Sequence, residues 1–373
     1  MNDDYQHWRQ IKWGDLATLE YGKGLRGYQN TDGRYPVYGT NGLIGWHETS
    51  LCDKPGIIIG RKGAYRGVHL SKTPFFVIDT AFYLKLLTND VDLTWAYYQL
   101  LNFDINKIDS GSAIPSTSRD AFYQIPVLLP PLLTQRKIAT ILSAYDDLIE
   151  NNTRRTSILE EMAQSLYREW FVHFRFPGHE KKSLVETALG MIPEGWEVRT
   201  FGEVIELAYG KALKADMRVV GNILVYGSGG VIGYHNEGIV KGPGIIVGRK
   251  GNVGSVFWSD NDFFPIDTVF FVRSNVCLHY IYYNLQDQHF VNNDAAVPGL
   301  NRNQAYLLPF LLPDGPILSI FQEFIDPLFR QKQVLIKKNA NLRQTRDLLL
   351  PKLISGEVDV EGLDICIEGE KND

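Results

Sequence analysis

The chain has 373 residues, 44% of them apolar, with 34 glycines and a formal net charge of −5. That length predicts two domains plus connecting elements, and the ordinary apolar content argues against both a disordered chain and a membrane protein. No apolar run has spanning length, Met1–Trp13 is polar rather than signal-like, and the three cysteines (Cys52, Cys277, Cys366) are scattered, so a reducing cytoplasm is the expected compartment.

The net charge counts against a nucleic-acid binder only until its distribution is read. Glu357–Asp373 holds seven acidic residues against Lys371 alone, which leaves residues 1–356 close to neutral. A near-neutral domain still binds DNA through a local basic face, so charge neither establishes nor excludes that partner.

Taken in order, Trp8–Leu132 is rich in glycine, aromatic and β-branched residues. Pro36–Gly39, Gly56–Gly60 and Phe75–Ile78 read as strands, and Leu93–Phe103 has helical spacing. The expectation is an α+β domain with a curved, mainly antiparallel sheet, closing at Ile125–Pro131. From about Thr134 to Phe174 glycine and proline are absent. Ile138, Ile141, Tyr145, Leu148, Leu159, Met162 and Leu166 follow a three-and-four spacing, interrupted by Asn152 and Arg155, which predicts a long helix of coiled-coil character. Pro177-Gly178 should stop it, and a polar linker leads on. In a second tract, Ile317–Leu350, Phe321, Leu328, Leu335, Leu342 and Leu349 recur every seven residues. Pro327 there predicts a kink, or a late start with Asp326 as N-cap, and Pro351 an end.

The dominant feature is a repeat. Trp8–Leu84 aligns with Trp196–Val272 at a constant offset of 188 without a gap, and 31 of the 77 positions are identical. Shared are Tyr21-Gly22-Lys23 with Tyr209-Gly210-Lys211, Gly60-Arg61-Lys62-Gly63 with Gly248-Arg249-Lys250-Gly251, and Ile78-Asp79-Thr80 with Ile266-Asp267-Thr268. So long a period indicates two similar domains rather than a solenoid. The boundaries predicted are a first domain at 1–132, a helix at 133–178, a linker at 179–190, a second domain at 191–313, and a second helix with an acidic tail at 314–373.

Catalytic signatures are missing. Gly-Arg-Lys-Gly lacks the Gly-Lys-Ser/Thr ending of a phosphate loop, and the eight histidines do not cluster with carboxylates at metal-ligand spacing. Asp79 and Asp267, each inside an apolar run, read as buried residues holding backbone donors. The repeated Gly-Arg-Lys-Gly has two readings. Its glycines give a tight turn whose arginines pair internally, or the turn presents Arg61, Lys62, Arg249 and Lys250 to phosphates or base edges. The residues after it differ, Ala64-Tyr65-Arg66 against Asn252-Val253-Gly254, as two readers of different targets would. Lys23, Arg26, Lys211 and Lys214 follow the Tyr-Gly turn. Two polar loops, 112–119 and 295–303, carry Ser116, Ser118, Arg119, Asn301 and Arg302. All these side chains, with Tyr65, Arg66 and Asn252, are candidate DNA contacts.

The domain–helix–domain–helix order, Pro193-Glu194-Gly195-Trp196, the Gly-Arg-Lys-Gly turns, the exits at Leu129-Pro130-Pro131 and Leu312-Pro313, and the run from Leu348 to Val358 resemble the DNA-specificity subunits of type I restriction-modification systems. Pro-Glu-Gly is not found before Trp8, a departure from that pattern. The resemblance implies two mixed α/β target recognition domains separated by two long antiparallel coiled-coil-like helices. It implies a non-catalytic chain that binds a bipartite double-stranded DNA site, docks methyltransferase (modification) subunits on its helices and works with a restriction subunit. It also implies that S-adenosylmethionine sits on the modification subunit, with no cofactor, metal or membrane for this chain. Two other readings stand beside it: a two-domain carbohydrate- or protein-binding scaffold with no DNA role, and a hydrolase using the repeated aspartates.

Overall fold

A computed structural model gives the fold and describes residues 8–367, apart from 30–32, 110, 112–113, 289, 291 and 294–298. The chain divides into two compact units, residues 1–151 with 338–373, and residues 152–337. Each unit therefore combines a globular part with a portion of both long helices.

In the first unit, Ala17–Tyr21, Ala81–Leu86, Gly56–Gly60 and Val68–Ser71 pair in that order as an antiparallel sheet. Gly42–His47, Tyr35–Gly39 and Phe76–Val77 form a second sheet, whose last pair is parallel. Arg9–Lys12 pairs with Pro126–Leu129, tying the start of the domain to its exit. The second unit repeats this plan. Its four-stranded sheet is Glu206–Tyr209, Val269–Arg273, Gly244–Gly248 and Val256–Ser259, and its three-stranded sheet is Gly230–His235, Ile223–Gly227 and Phe263–Pro265. Glu197–Thr200 pairs with Pro309–Leu312. The expected curved sheet is thus split in each unit into a four-stranded and a three-stranded sheet, with two-stranded pairings beside them, mainly antiparallel.

The fully buried strands are those that carry the repeat. A short continuous apolar run fits a strand covered on both faces, and Gly56–Gly60 and Gly244–Gly248 are buried throughout. Alternate side chains point to opposite faces. Ile57 and Ile59 join the main core of the first unit, while Ile58 joins a smaller cluster with Phe75 and Val77. Ile245 and Val247 separate from Ile246 in the same way.

The first long helix is Leu132–Tyr167, followed by a π-helical turn at Arg168–Val172. Its buried row is Ile138, Leu142, Ile149, Asn152, Leu159, Ala163 and Tyr167, whereas Leu148 and Met162 are exposed. The predicted stripe is therefore displaced by one position over much of its length, about 100° around the axis. The second helix runs unbroken from Gly315 to Ile354. The late start predicted at Asp326 and the end predicted at Pro351 are both corrected. Asp314 is the cap, its carboxylate accepting the Ile317 N–H at 3.1 Å. Pro327 and Pro351 are tolerated because both are exposed, as are Glu323 and Asp347, whose carbonyls they deprive of a donor.

Within each unit the helix segments run antiparallel. Arg346 pairs with Asp146, which also accepts the Tyr98 hydroxyl at 2.6 Å, and the buried Asn339 amide donates to the Ile149 carbonyl at 3.2 Å. In the second unit Lys332 pairs with Glu160, which also accepts the Tyr283 hydroxyl at 3.1 Å. The expected linker holds the first strand of a hairpin, Leu184–Thr187 against Gly190–Pro193, whose second strand runs past the predicted boundary at 190.

Candidate nucleic-acid interface

The repeated motifs converge within each unit. Tyr21 ends its strand, after which the Gly22 N–H donates to the Ala81 carbonyl at 3.1 Å and the Lys23 N–H to the Val77 carbonyl at 3.0 Å. A Cβ on Gly22 would lie 2.0 Å from the Ile78 carbonyl oxygen, so only glycine permits this approach. The next two residues of that segment receive the cationic turn. The Thr80 carbonyl accepts the Arg61 and Lys62 N–H groups at 2.9 and 3.1 Å, and the Asp79 carbonyl accepts the Arg61 guanidinium at 2.9 Å. The loop before Arg119 then lies alongside, with the Thr117 N–H donating to the Arg61 carbonyl at 2.9 Å and its buried hydroxyl to the Gly60 carbonyl at 2.7 Å.

The second unit makes the same bonds. Arg249 and Lys250 donate their N–H groups to the Thr268 carbonyl at 2.9 and 3.1 Å, and the Arg249 guanidinium donates to the Asp267 carbonyl at 3.0 Å. The Leu300 N–H donates to the Arg249 carbonyl at 2.8 Å. At both repeated aspartates it is the main-chain carbonyl that receives the arginine. Asp79 itself is exposed, which corrects the expectation of a buried carboxylate.

Two arginines then share one tyrosine ring. The guanidinium carbons of Arg61 and Arg119 lie 4.7 and 5.1 Å from the centroid of Tyr21, and those of Arg249 and Arg302 each lie 4.8 Å from that of Tyr209. Both tyrosines are about half exposed, at 49% and 50%. Among the described residues, none of these four arginines forms an ion pair. Arg119 also donates to the Tyr123 hydroxyl at 3.0 Å, which raises its pKa above the ordinary guanidinium value. Tyr21 and Tyr209 are missing from the sequence-derived candidates, although both belong to the repeated Tyr-Gly-Lys turn.

The remaining candidates separate into groups. Lys23, Arg26, Lys62, Tyr65, Lys211, Lys214, Lys250 and Asn252 are exposed, Tyr65 at 73%. Ser116 is half-buried beside Lys62 and gives its N–H to the Asp109 carboxylate at 3.3 Å. Ser118 and Asn301 cap the short helices Arg119–Tyr123 and Arg302–Tyr306, which aims the arginine that follows each cap. Arg66 is corrected. It is only 3% exposed, donates to the Asn106 carbonyl at 3.1 Å and sits 3.6 Å from the Asp109 carboxylate, so it braces the loop from inside. Residues 112–113 and 295–298 of the two predicted polar loops lie outside the described residues.

Among the described residues, no group of three or more His, Cys, Asp or Glu side chains is placed to hold a metal, and no helix is long and apolar enough to cross a membrane. The geometry is that of two equivalent cationic loop surfaces on one chain. A family model for the type I restriction modification DNA specificity domain matches residues 5–161 and 193–338, one match for each copy. The MjaIX specificity subunit of a type I restriction enzyme, from Methanocaldococcus jannaschii, is 26% identical over 386 residues, covering 94% of this chain and 86% of that protein. The HindI specificity subunit of Haemophilus influenzae is 21% identical over 373 residues, covering 76% and 78%. The crystal structure of a type I restriction-modification S subunit from M. genitalium superposes with a TM-score of 0.66 at 19% identity, covering 95% of this chain and 97% of that one, and shows the same fold.

The chain belongs to the type I restriction-modification DNA-specificity family. It is a specificity subunit, built to recognise DNA and not to catalyse. The scaffold and hydrolase readings fall away.

Proposed function

We propose that each unit reads one half of a bipartite duplex site, with the two long helices fixing the separation of the halves. One observation carries this reading: the same pair of arginines on the same half-exposed tyrosine is built twice, at matching places in two domains of one topology. The loop residues beside the clusters differ between copies, so the two half-sites differ. Modification subunits carrying S-adenosylmethionine dock on the helices, which expose Leu148, Met162, Val334, Ile336 and Leu348 for a partner to cover, and a restriction subunit joins them. The assembly works in the cytoplasm, where its DNA is.

The test is methylation of random duplex DNA by this chain in complex with a type I modification subunit. Sequencing the methylated products should return two short, different sequences separated by a constant number of unread bases. One contiguous motif, or methylation without sequence preference, would overturn the proposal.

A further inference from the structure

We propose that the two-arginine, one-tyrosine cluster of each domain is a phosphodiester clamp, the part of each reader that is indifferent to sequence. This rests on the DNA reading above and assigns a division of labour within it. Base preference then lies in neighbouring residues that differ between the copies.

Three observations converge on the clamp. First, the cluster is the same in both copies: Tyr21 with Tyr209, Arg61 with Arg249, and Arg119 with Arg302. The residues immediately after the turn are not, Tyr65 facing Val253 in the alignment and Ala64 facing Asn252. What two different half-sites have in common is their sugar-phosphate backbone, so the identical residues match the common feature.

Second, each cluster brings two guanidinium groups onto one ring, and among the described residues neither group has a carboxylate partner. Two unneutralised cations gathered on one ring leave an uncompensated positive field, which a phosphate beside them relieves. Exposed Lys62 and Lys250 extend that field from the adjacent positions of the turns.

Third, the arginines are folded onto their own domain. Arg61 is held by the Asp79 carbonyl at 2.9 Å and lies over the Tyr21 ring, and Arg249 matches it with Asp267 at 3.0 Å and Tyr209. A side chain reading base edges must extend into a groove about 8.5 Å deep. An arginine held over a surface ring of its own domain meets the backbone at the groove's rim instead. The ring contact and the carbonyl bond also fix the guanidinium before DNA arrives, so less side-chain entropy is lost on binding.

The experiment measures binding of the full chain, in complex with its modification subunit, to duplexes carrying the methylated site and to scrambled duplexes, across a range of salt. Arg61→Gln, Arg119→Gln, Arg249→Gln and Arg302→Gln should each weaken both duplexes by the same factor. Each should also lower the steepness of log K against log salt by about 1, the value for one phosphate contact. Tyr21→Leu, which removes the ring that both arginines of its cluster share, should weaken both duplexes equally while the half-site sequences recovered by methylation stay as they were.

Because Arg119 also holds Tyr123, Arg119→Gln is paired with Arg119→Lys, which keeps the charge. The lysine variant should retain the wild-type salt dependence, and the glutamine variant should not. Loss of affinity for the specific duplex alone, or relaxation of one base position, would make these arginines base readers and overturn the clamp while leaving the two-reader proposal standing. An unchanged salt dependence in all four glutamine variants would remove the clusters from the interface. A wild-type complex that bound no duplex would overturn the DNA reading and the clamp with it.

Discussion

His279 stacks on Trp258 with ring centroids 4.5 Å apart and meets Phe329 at 4.3 Å, while its Nδ1 lies 3.3 Å from the Asp326 carboxylate. Burial among these rings pushes its pKa down to about 4, against the opposing attraction of Asp326 and Asp260, and Lys332 adds to the depression. The unfolded chain, with an ordinary histidine, therefore binds more protons than the folded one between about pH 4 and 6.5. Stability contributed by the neutral ring is complete above about pH 6.5 and drains away as pH falls toward 4. The loss should reach on the order of 2–3 kcal/mol for the second unit by pH 4.5. Denaturant titrations at pH 7 and 4.5, followed by tryptophan fluorescence, check this against His279→Gln, which should lose less over the same interval. Equal losses in the two proteins would sink the assignment. The interface residues show how far single positions were legible. Arg61 and Arg249 stood out because they repeat inside a turn. The ring beneath them did not, because positions 21, 61 and 119 meet only once the sheet has formed. Arg66 read as a loop-tip cation, and its burial is decided by Asn106 and Asp109, about forty positions further along the chain.

Secondary structure was legible wherever the local pattern had one solution. Gly-Ile-Ile-Ile-Gly became a fully covered strand, and the heptad row from Phe321 to Leu349 marked a helix. The failures came where a local rule met a compensating surface. Pro327 was expected to kink the second helix or delay its start, yet the helix runs on through it, with Pro327 and Glu323 both exposed. Restoring the donor should therefore stabilise. Pro327→Ala returns an N–H to that carbonyl and relieves the ring's steric pressure, a gain of up to about 3 kcal/mol in a helix interior. The greater freedom of the unfolded alanine chain offsets about 0.4–1 kcal/mol of it. The net expectation is a rise of about 2 kcal/mol, read as a higher melting temperature for the second unit. A fall would mean that the backbone geometry imposed by proline is itself needed. In the first helix the displaced stripe has a related cause. An apolar residue there, Leu148 or Met162, stays outside because the covered row is completed by smaller or polar side chains, Ala163 and Asn152.

At the scale of the whole molecule, duplication predicts that reading and spacing are separable. The residues assigned to DNA lie in the globular parts, while the first long helix alone, at 36 residues, is about 54 Å long at ~1.5 Å per residue. Removing one heptad from each helix, residues 149–155 and 337–343, keeps the apolar rows in phase. Asn339 and the Ile149 carbonyl it bonds leave together, so neither remains buried without its partner. The side-chain pairs on either side, Asp146 with Arg346 and Glu160 with Lys332, stay in register. The shortening is about 10 Å, equivalent to ~3 base pairs at ~3.4 Å each. DNA bending blurs that figure, and a shift of a few base pairs also turns one half-site around the duplex axis, so the new gap need not shrink one for one. Methylation by the shortened complex, read by sequencing, should return the two original half-sites with fewer unread bases between them. New half-site sequences with the old gap would mean that the helices take part in reading, and that the chain does not divide into readers and a ruler.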